Sequence, residues 1–202
     1  NARIELNEKL ESNFKAIVEG ALLGEYKFTT YKSEQEKEIK IVNDFVDLRS
    51  GDLIFRKELN FISVIFAKID DSEYSHIGII FIENDKIFVY HIESDENKND
   101  VKKDEINNFL NSAEKYTIFR YKGNFDEKNL YSILKNIFEE NIKFDFSFDL
   151  KTTDKLYCTE FVNDIFYKLT NQNIYTYLYD YNSNHIITIK SIMQNKELTK
   201  IY

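Results

Sequence analysis

One cysteine and three histidines carry most of the reactive chemistry available to this 202-residue chain. Cys158 stands in Tyr157-Cys158-Thr159-Glu160, at the start of a segment with helical periodicity. A helix N-terminus favours a thiolate through its dipole and free N–H groups, and a neighbouring imidazole lowers the thiol pKa further. His76 opens the apolar run His76–Ile82, and His91 and Glu93 close the run Ile87–Glu93; Glu83-Asn84-Asp85-Lys86 between them reads as a hairpin turn. With Asn84 and Asp85 as the two loop residues, Ile82 pairs with Ile87, Ile80 with Val89, Gly78 with His91 and His76 with Glu93. Residues two apart share a face, so His76, Gly78, His91 and Glu93 fall together. Opposed Cβ atoms stand about 4.5–5.5 Å apart, within reach of a carboxylate–imidazole hydrogen bond. A cysteine nucleophile, a histidine base and a carboxylate orienting that histidine are the parts of a thiol hydrolase. The inference depends on register, because a slip of one residue sends the partners to opposite faces.

Each of these residues also has a plainer reading. A lone cysteine opening an apolar helix is commonly a buried small hydrophobe, and a histidine opening a strand is commonly structural. His91 has three readings: a member of the active face, a metal ligand, or a local hydrogen-bonding group. A zinc site from Cys158, His76, His91 and Glu93 is chemically allowed, but no ligand-spacing motif supports it. Glu160, two positions past the cysteine, points away from it on a helix and suits a backbone hydrogen bond. His185, in Asn182-Ser183-Asn184-His185, reads as loop polarity.

The elements that must position these residues follow from periodicity. Ile4–Leu22 and Ser33–Asp47 read as amphipathic helices, the second with Ser33 and Glu36 as a capping box. Asp52–Phe55 reads as a short strand after Gly51, and Asn60–Ile69 as a buried helix. Tyr116–Tyr121 is expected as a strand, with helices over Asp104–Asn111, Asp126–Asn141 and Leu156–Leu169 and a last strand over Ile186–Ile189. The expected fold is α+β with a mainly antiparallel sheet, divided into an N-terminal helical region, residues 1–47, and a catalytic domain, residues 48–202.

Composition narrows the function classes. Lys and Arg number 27 against 35 Asp and Glu, a net charge of −8 that disfavours a nucleic acid partner. Aromatic residues make up 15%, enough to close a core, and no apolar run reaches the length of a membrane span. One cysteine excludes an intramolecular disulfide. A start at Asn1-Ala2 rather than methionine reads as a processed or trimmed end.

Gly51-Asp52-Leu53-Ile54-Phe55, Tyr74-Ser75-His76-Ile77-Gly78-Ile79, His91-Ile92-Glu93 and Tyr157-Cys158-Thr159-Glu160-Phe161-Val162 occur in this order. Together they resemble the circularly permuted branch of the NlpC-like, papain-like cysteine hydrolases, the YaeF/YiiX-like group, in which the histidine strand precedes the cysteine helix. Phe144-Asp145-Phe146 is similar to the segment before that cysteine, and Ile187–Ile192 to the C-terminal segment. The resemblance covers about residues 48–202. It implies a papain-like fold with Cys158 as nucleophile, His76 as base and Glu93 orienting His76, with no cofactor. His91 departs from it, standing where an apolar residue is usual, as does Ile189, where proline is common. His91 and Tyr157 are the candidate substrate-binding residues. The implied substrate is a small peptide or cell-wall fragment, or an acyl lipid held by Phe55, Phe61, Phe66, Phe144, Phe146 and Phe148; the plainer reading of these rings is core. A bacterial cell-envelope or exported location is implied as well. The rival expectation is a non-catalytic papain-like module, with Cys158 inert and a ligand or lipid bound.

Overall fold

The computed structural model describes residues 47–57, 71–94, 99–111, 113–181 and 184–202. All of them lie in one compact unit, Glu38–Tyr202. The helices expected before Asp47, and the one expected over Asn60–Ile69, fall outside the described residues.

The chain runs β1 (Leu53–Lys57), β2 (His76–Glu83), β3 (Lys86–Ser94), β4 (Asn99–Glu105), α1 (Ile106–Leu110) and β5 (Lys115–Tyr121). It continues through α2 (Glu127–Glu139), β6 (Lys143–Phe144), β7 (Lys155–Leu156), α3 (Cys158–Thr170), β8 (Tyr179–Tyr181), β9 (Asn184–Ile186), α4 (Ile189–Met193) and β10 (Leu198–Lys200). Among the described residues eight strands form one sheet in the order β10-β5-β1-β2-β3-β4-β6-β7, while β8 and β9 pair separately. Every pairing is antiparallel except β6 with β7.

The central strands are apolar on both faces because both faces are covered. Leu53, Phe55, Ile77, Ile79 and Ile92 join a large core with Leu130, Leu134 and Ile137 of α2 and Phe161, Val162, Ile165 and Phe166 of α3. On the other face Ile54, Ile80, Val89 and Ile118 meet Ile106, Phe109 and Leu110 of α1. The turn before β1 is pinned at both of its first residues. Gly51 has φ +93°, and a Cβ there would fall 2.1 Å from the Phe125 ring. Asp52 is buried and takes Arg120 on both oxygens at 2.8 Å.

The β2–β3 register is the expected one, with Ile82 opposite Ile87, Ile80 opposite Val89 and Glu83 opposite Lys86. Asn84 and Asp85 have φ of 51° and 61°, the left-handed pair that a two-residue turn of the primed kind requires. The short strands β6, β7, β8 and β10 are unexpected, and two expected elements change type or start. Residues Asn99–Glu105 form a strand, and the helix expected from Asp104 starts at Ile106. Charges rather than apolar alternation hold β4 to its neighbours: Lys103 meets Glu83 at 2.7 Å and stands over the Phe88 ring at 4.4 Å. Ile189, expected in a strand, opens a short helix because the Thr188 hydroxyl oxygen accepts the Ser191 N–H at 3.2 Å. No helix of the described residues is long and apolar enough to cross a membrane.

Candidate active site

Strand pairing assembles the site. Arg56 of β1 lies directly opposite His76 of β2. Carrying the β2–β3 register two and four residues beyond Ile80–Val89 sets Gly78 opposite His91 and His76 opposite Glu93. Across β3–β4, His91 faces Lys102 and Val89 faces Asp104. Arg56, His76, Gly78, His91, Glu93, Lys102 and Asp104 therefore share the sheet face covered by α1. Gly78 supplies the room: a Cβ there would come within 2.4 Å of Val89 Cγ1 and 3.3 Å of His91 Cβ.

The two imidazoles form a chain that ends on a carboxylate. His76 Nε2 lies 2.9 Å from His91 Nδ1, and His91 Nε2 lies 3.0 Å from Asp104 Oδ2. His76 is 6% exposed and His91 fully enclosed. Burial, with the Arg56 charge nearby, holds both below the ordinary histidine range, far below for His76, although Asp104 pulls His91 the other way. Both rings are therefore neutral at pH 7, and hydrogen bonding then assigns the tautomers. Asp104 accepts, so His91 carries its proton on Nε2 and its Nδ1 is bare. His76 must then donate from Nε2, which leaves its Nδ1 with a free lone pair. The Asp104 carboxyl is held below its usual range chiefly by this hydrogen bond from His91, against burial.

Phe109 of α1 anchors the group from below. Its ring centroid lies 4.9 Å from that of His91 and 5.8 Å from that of His76. The Arg56 guanidinium stands 4.1 Å from the same ring and donates to the Phe109 carbonyl. Its other arm donates to Glu93 Oε1 at 2.8 Å, and Lys102 donates to Glu93 Oε2 at 3.3 Å. Burial pushes the Glu93 carboxyl up, but the Arg56 and Lys102 charges outweigh it, so Glu93 is an anion. Glu93 thus sits beside His76 as the register requires, with both oxygens engaged by cations. Arg56, Lys102, Asp104 and Phe109 are site residues that the sequence reading did not single out. A charge at position 56, two residues after buried Ile54 on an apolar strand, was the available signal for Arg56.

Cys158 is the first residue of α3, with Tyr157 as N-cap. Cys158 is 8% exposed, and burial pushes its thiol up to about 12, against the backbone N–H groups of Thr159 and Ile77. The helix-start effect expected from the sequence is present but smaller than desolvation. The Ile77 N–H that meets the sulfur belongs to β2, the strand that His76 opens. The helix start itself is clamped onto one residue. The Tyr157 hydroxyl accepts the Ile187 N–H at 2.8 Å, and the Thr159 hydroxyl donates to the Ile187 carbonyl at 2.7 Å. Glu160 Oε2 accepts the Tyr157 N–H at 3.3 Å, the backbone role its position suggested. Tyr157 is 1% exposed, its ring set against Phe148 at 5.3 Å. Asp145 shapes the preceding loop, accepting the Ser147 and Asp149 N–H groups at 2.8 and 2.9 Å.

The aromatic set considered for an acyl chain divides. Phe55 is fully buried between Tyr74 and Phe119, and Phe144 meets Phe146 and Phe148, which places these four in the core or against it. Phe61 and Phe66 lie outside the described residues. His185 is exposed and pairs with Asp180 at 2.6 Å, away from the other histidines.

A family model described as "Permuted papain-like amidase enzyme, YaeF/YiiX, C92 family" matches residues 47–202. No curated protein matches the chain. Among solved structures, the chain is similar to one titled "Crystal structure of metalloprotein yiiX from Escherichia coli O157:H7, DUF1105". The identity is 20%, the TM-score is 0.65, and the likeness covers 76% of this chain and 96% of that one. At this identity the likeness establishes a common fold.

Proposed function

The chain belongs to the permuted papain-like amidase family, and from that premise we propose a thiol hydrolase in which Cys158 attacks and His76 moves the proton. The observation that carries the reading is the chain His76 Nε2–His91 Nδ1–Asp104, at 2.9 and 3.0 Å, because it leaves His76 Nδ1 bare and able to accept a proton. His91 then has the orienting role, with Asp104 fixing its tautomer. Glu93, held by Arg56 and Lys102, is the nearby anion that compensates charge on His76 once it is protonated.

Both partners start neutral, so proton transfer accompanies attack. The Cys158 sulfur bonds to the substrate carbonyl carbon as its proton passes to His76 Nδ1. The carbonyl oxygen takes up the negative charge, and the Cys158 backbone N–H, in the first turn of α3, has the oxyanion-donor role in this reading. His76 returns the proton to the leaving nitrogen as the C–N bond breaks, giving a thioester and a free amine. Water, deprotonated by His76, then releases the acid and restores the thiol. A peptide or cell-wall amide is the substrate class in this reading, and an acyl ester follows the same steps with an alcohol leaving.

The test is turnover of short peptide amides and acyl esters by the native chain and by Cys158→Ala, with circular dichroism to show that the variant is folded. Loss of turnover in folded Cys158→Ala is expected; undiminished turnover overturns the reading. A specific observation favours a second reading, a non-catalytic module. The thiol is enclosed and its pKa is pushed up to about 12, as an inert cysteine's would be. No turnover of any amide or ester by the native chain would select it.

The word metalloprotein in the relative's title brings a metal into consideration here. Among the described residues, the donors that fit one are His76, His91 and Glu93, and no step above passes through it.

A further inference from the structure

We infer that His76, His91 and Glu93 form a binding site for a borderline divalent transition metal of the zinc and cobalt class, one that excludes the base role of His76 while it is filled. Each residue offers one donor atom, and the three atoms lie within 4.8 Å of one another on a buried sheet face. The sequence carries no ligand spacing because the spacing is made by the sheet, through the two-residue turn at Asn84-Asp85 and the opposition of β2 and β3.

Three features of the cluster suit a metal. His76 Nε2 and His91 Nδ1 stand 2.9 Å apart. Two nitrogens on a tetrahedral zinc, each about 2.0–2.1 Å from it, stand about 3.3–3.4 Å apart, so the pair needs to open by only about half an ångström. His91 gives its far nitrogen to Asp104 at 3.0 Å, the outer carboxylate that orients a ligating imidazole and raises its basicity. Two imidazoles and one carboxylate select zinc, cobalt or nickel over magnesium and calcium, which take oxygen donors. Arg56 and Lys102 work against the ion, since both already stand on Glu93. With Glu93 and Asp104 they make the surroundings neutral in sum, so the site is a moderate one whose affinity rises when a cation is removed.

Exclusion of the base follows from valence. A neutral imidazole that gives its Nε2 lone pair to a metal carries its proton on Nδ1. His76 in that state has nothing with which to take the thiol proton. Metal binding shares His76 with the hydrolase reading but does not require it, and the test reads bound metal, so the two can fail separately.

The experiment uses the full chain without a histidine tag, titrated with cobalt(II) and followed by its visible absorption, with zinc binding measured by equilibrium dialysis. One equivalent is expected to bind, with cobalt displaced by zinc. His91→Leu should lose at least tenfold in affinity. Should that variant misfold, Asp104→Asn keeps all three donors and should weaken binding about 10–100-fold. Lys102→Met should tighten binding severalfold, and Cys158→Ser should leave it unchanged. Absence of binding at millimolar metal, equal affinity in folded His91→Leu or Asp104→Asn, or loss of binding in Cys158→Ser would each overturn the assignment.

Discussion

The state of the Cys158 thiol is where the geometry makes its sharpest quantitative demand. A surface cysteine at a helix start beside a charged histidine would be a thiolate at neutral pH. Here Cys158 is 8% exposed and its thiol pKa is pushed up to about 12 by burial. At pH 8 about one thiol in ten thousand is then ionised, against about one in four for an ordinary cysteine with a pKa near 8.5. Alkylation by iodoacetamide proceeds through the thiolate. The native chain should therefore react about a thousandfold more slowly than the same chain unfolded in urea. Its rate should climb about tenfold per pH unit from 7 to 9 without levelling. Removing His76 should change this by less than about threefold, because a neutral ring with its Nε2 engaged on His91 carries no charge to hold a thiolate. One cysteine in the sequence means that intact mass reports a single site. An inflection below pH 8, or a native rate within tenfold of the unfolded one, would refute the reasoning. It would show a thiolate–imidazolium pair formed before substrate arrives, as would a large upward shift of the inflection in His76→Ala.

Two further perturbations probe the frame around the site. Gly78→Ala sets a methyl group 2.4 Å from Val89 Cγ1 and 3.3 Å from His91 Cβ, an overpacking that costs about 1–3 kcal/mol and should lower the melting temperature by about 3–10 °C; an unchanged melting curve would mean that β3 yields freely. Glu160 tests the floor of α3. Burial pushes its carboxyl up from 4.5 to about 8, with Asp145, Asp164 and Asp149 adding and the Tyr157 N–H opposing. A carboxyl raised on folding takes up a proton, so the native chain loses stability as pH rises from about 4.5 to 8. The full swing would be about 5 kcal/mol, reduced to about 2 kcal/mol by solvent reaching the carboxylate from the cavity of ≈ 460 Å³ that Glu160 lines. Glu160→Gln, which can still accept the Tyr157 N–H, should match the native chain at pH 5 and exceed it by about 2 kcal/mol at pH 9 in urea unfolding. An equal difference at both pH values would refute the argument.

How much of this was legible in the sequence depended on whether a feature is local. The turn at Asn84-Asp85 is local: two residues that tolerate left-handed backbone fix the β2–β3 register, and that register alone brings His76, His91 and Glu93 to one face. Tyr157-Cys158-Thr159-Glu160 is local as well, since Glu160 takes the Tyr157 N–H within the segment itself. Strand β4 was not legible. Asn99-Asp100-Val101-Lys102-Lys103-Asp104-Glu105 has no apolar alternation to read, because its side chains are satisfied by partners on β3 and beyond: Glu83 for Lys103, Glu93 for Lys102, His91 for Asp104. Losing β4 from the reading meant losing Asp104, and with it the partner that His91 meets at 3.0 Å. The helix-start argument for Cys158 failed for the same reason. The dipole belongs to the segment and can be read from it, whereas the burial that outweighs it is a property of β2 and α3 together. Chemistry in this protein is therefore set twice, first by which residues the local signals align, and then by a polar strand and a desolvated thiol that decide which proton each of them holds.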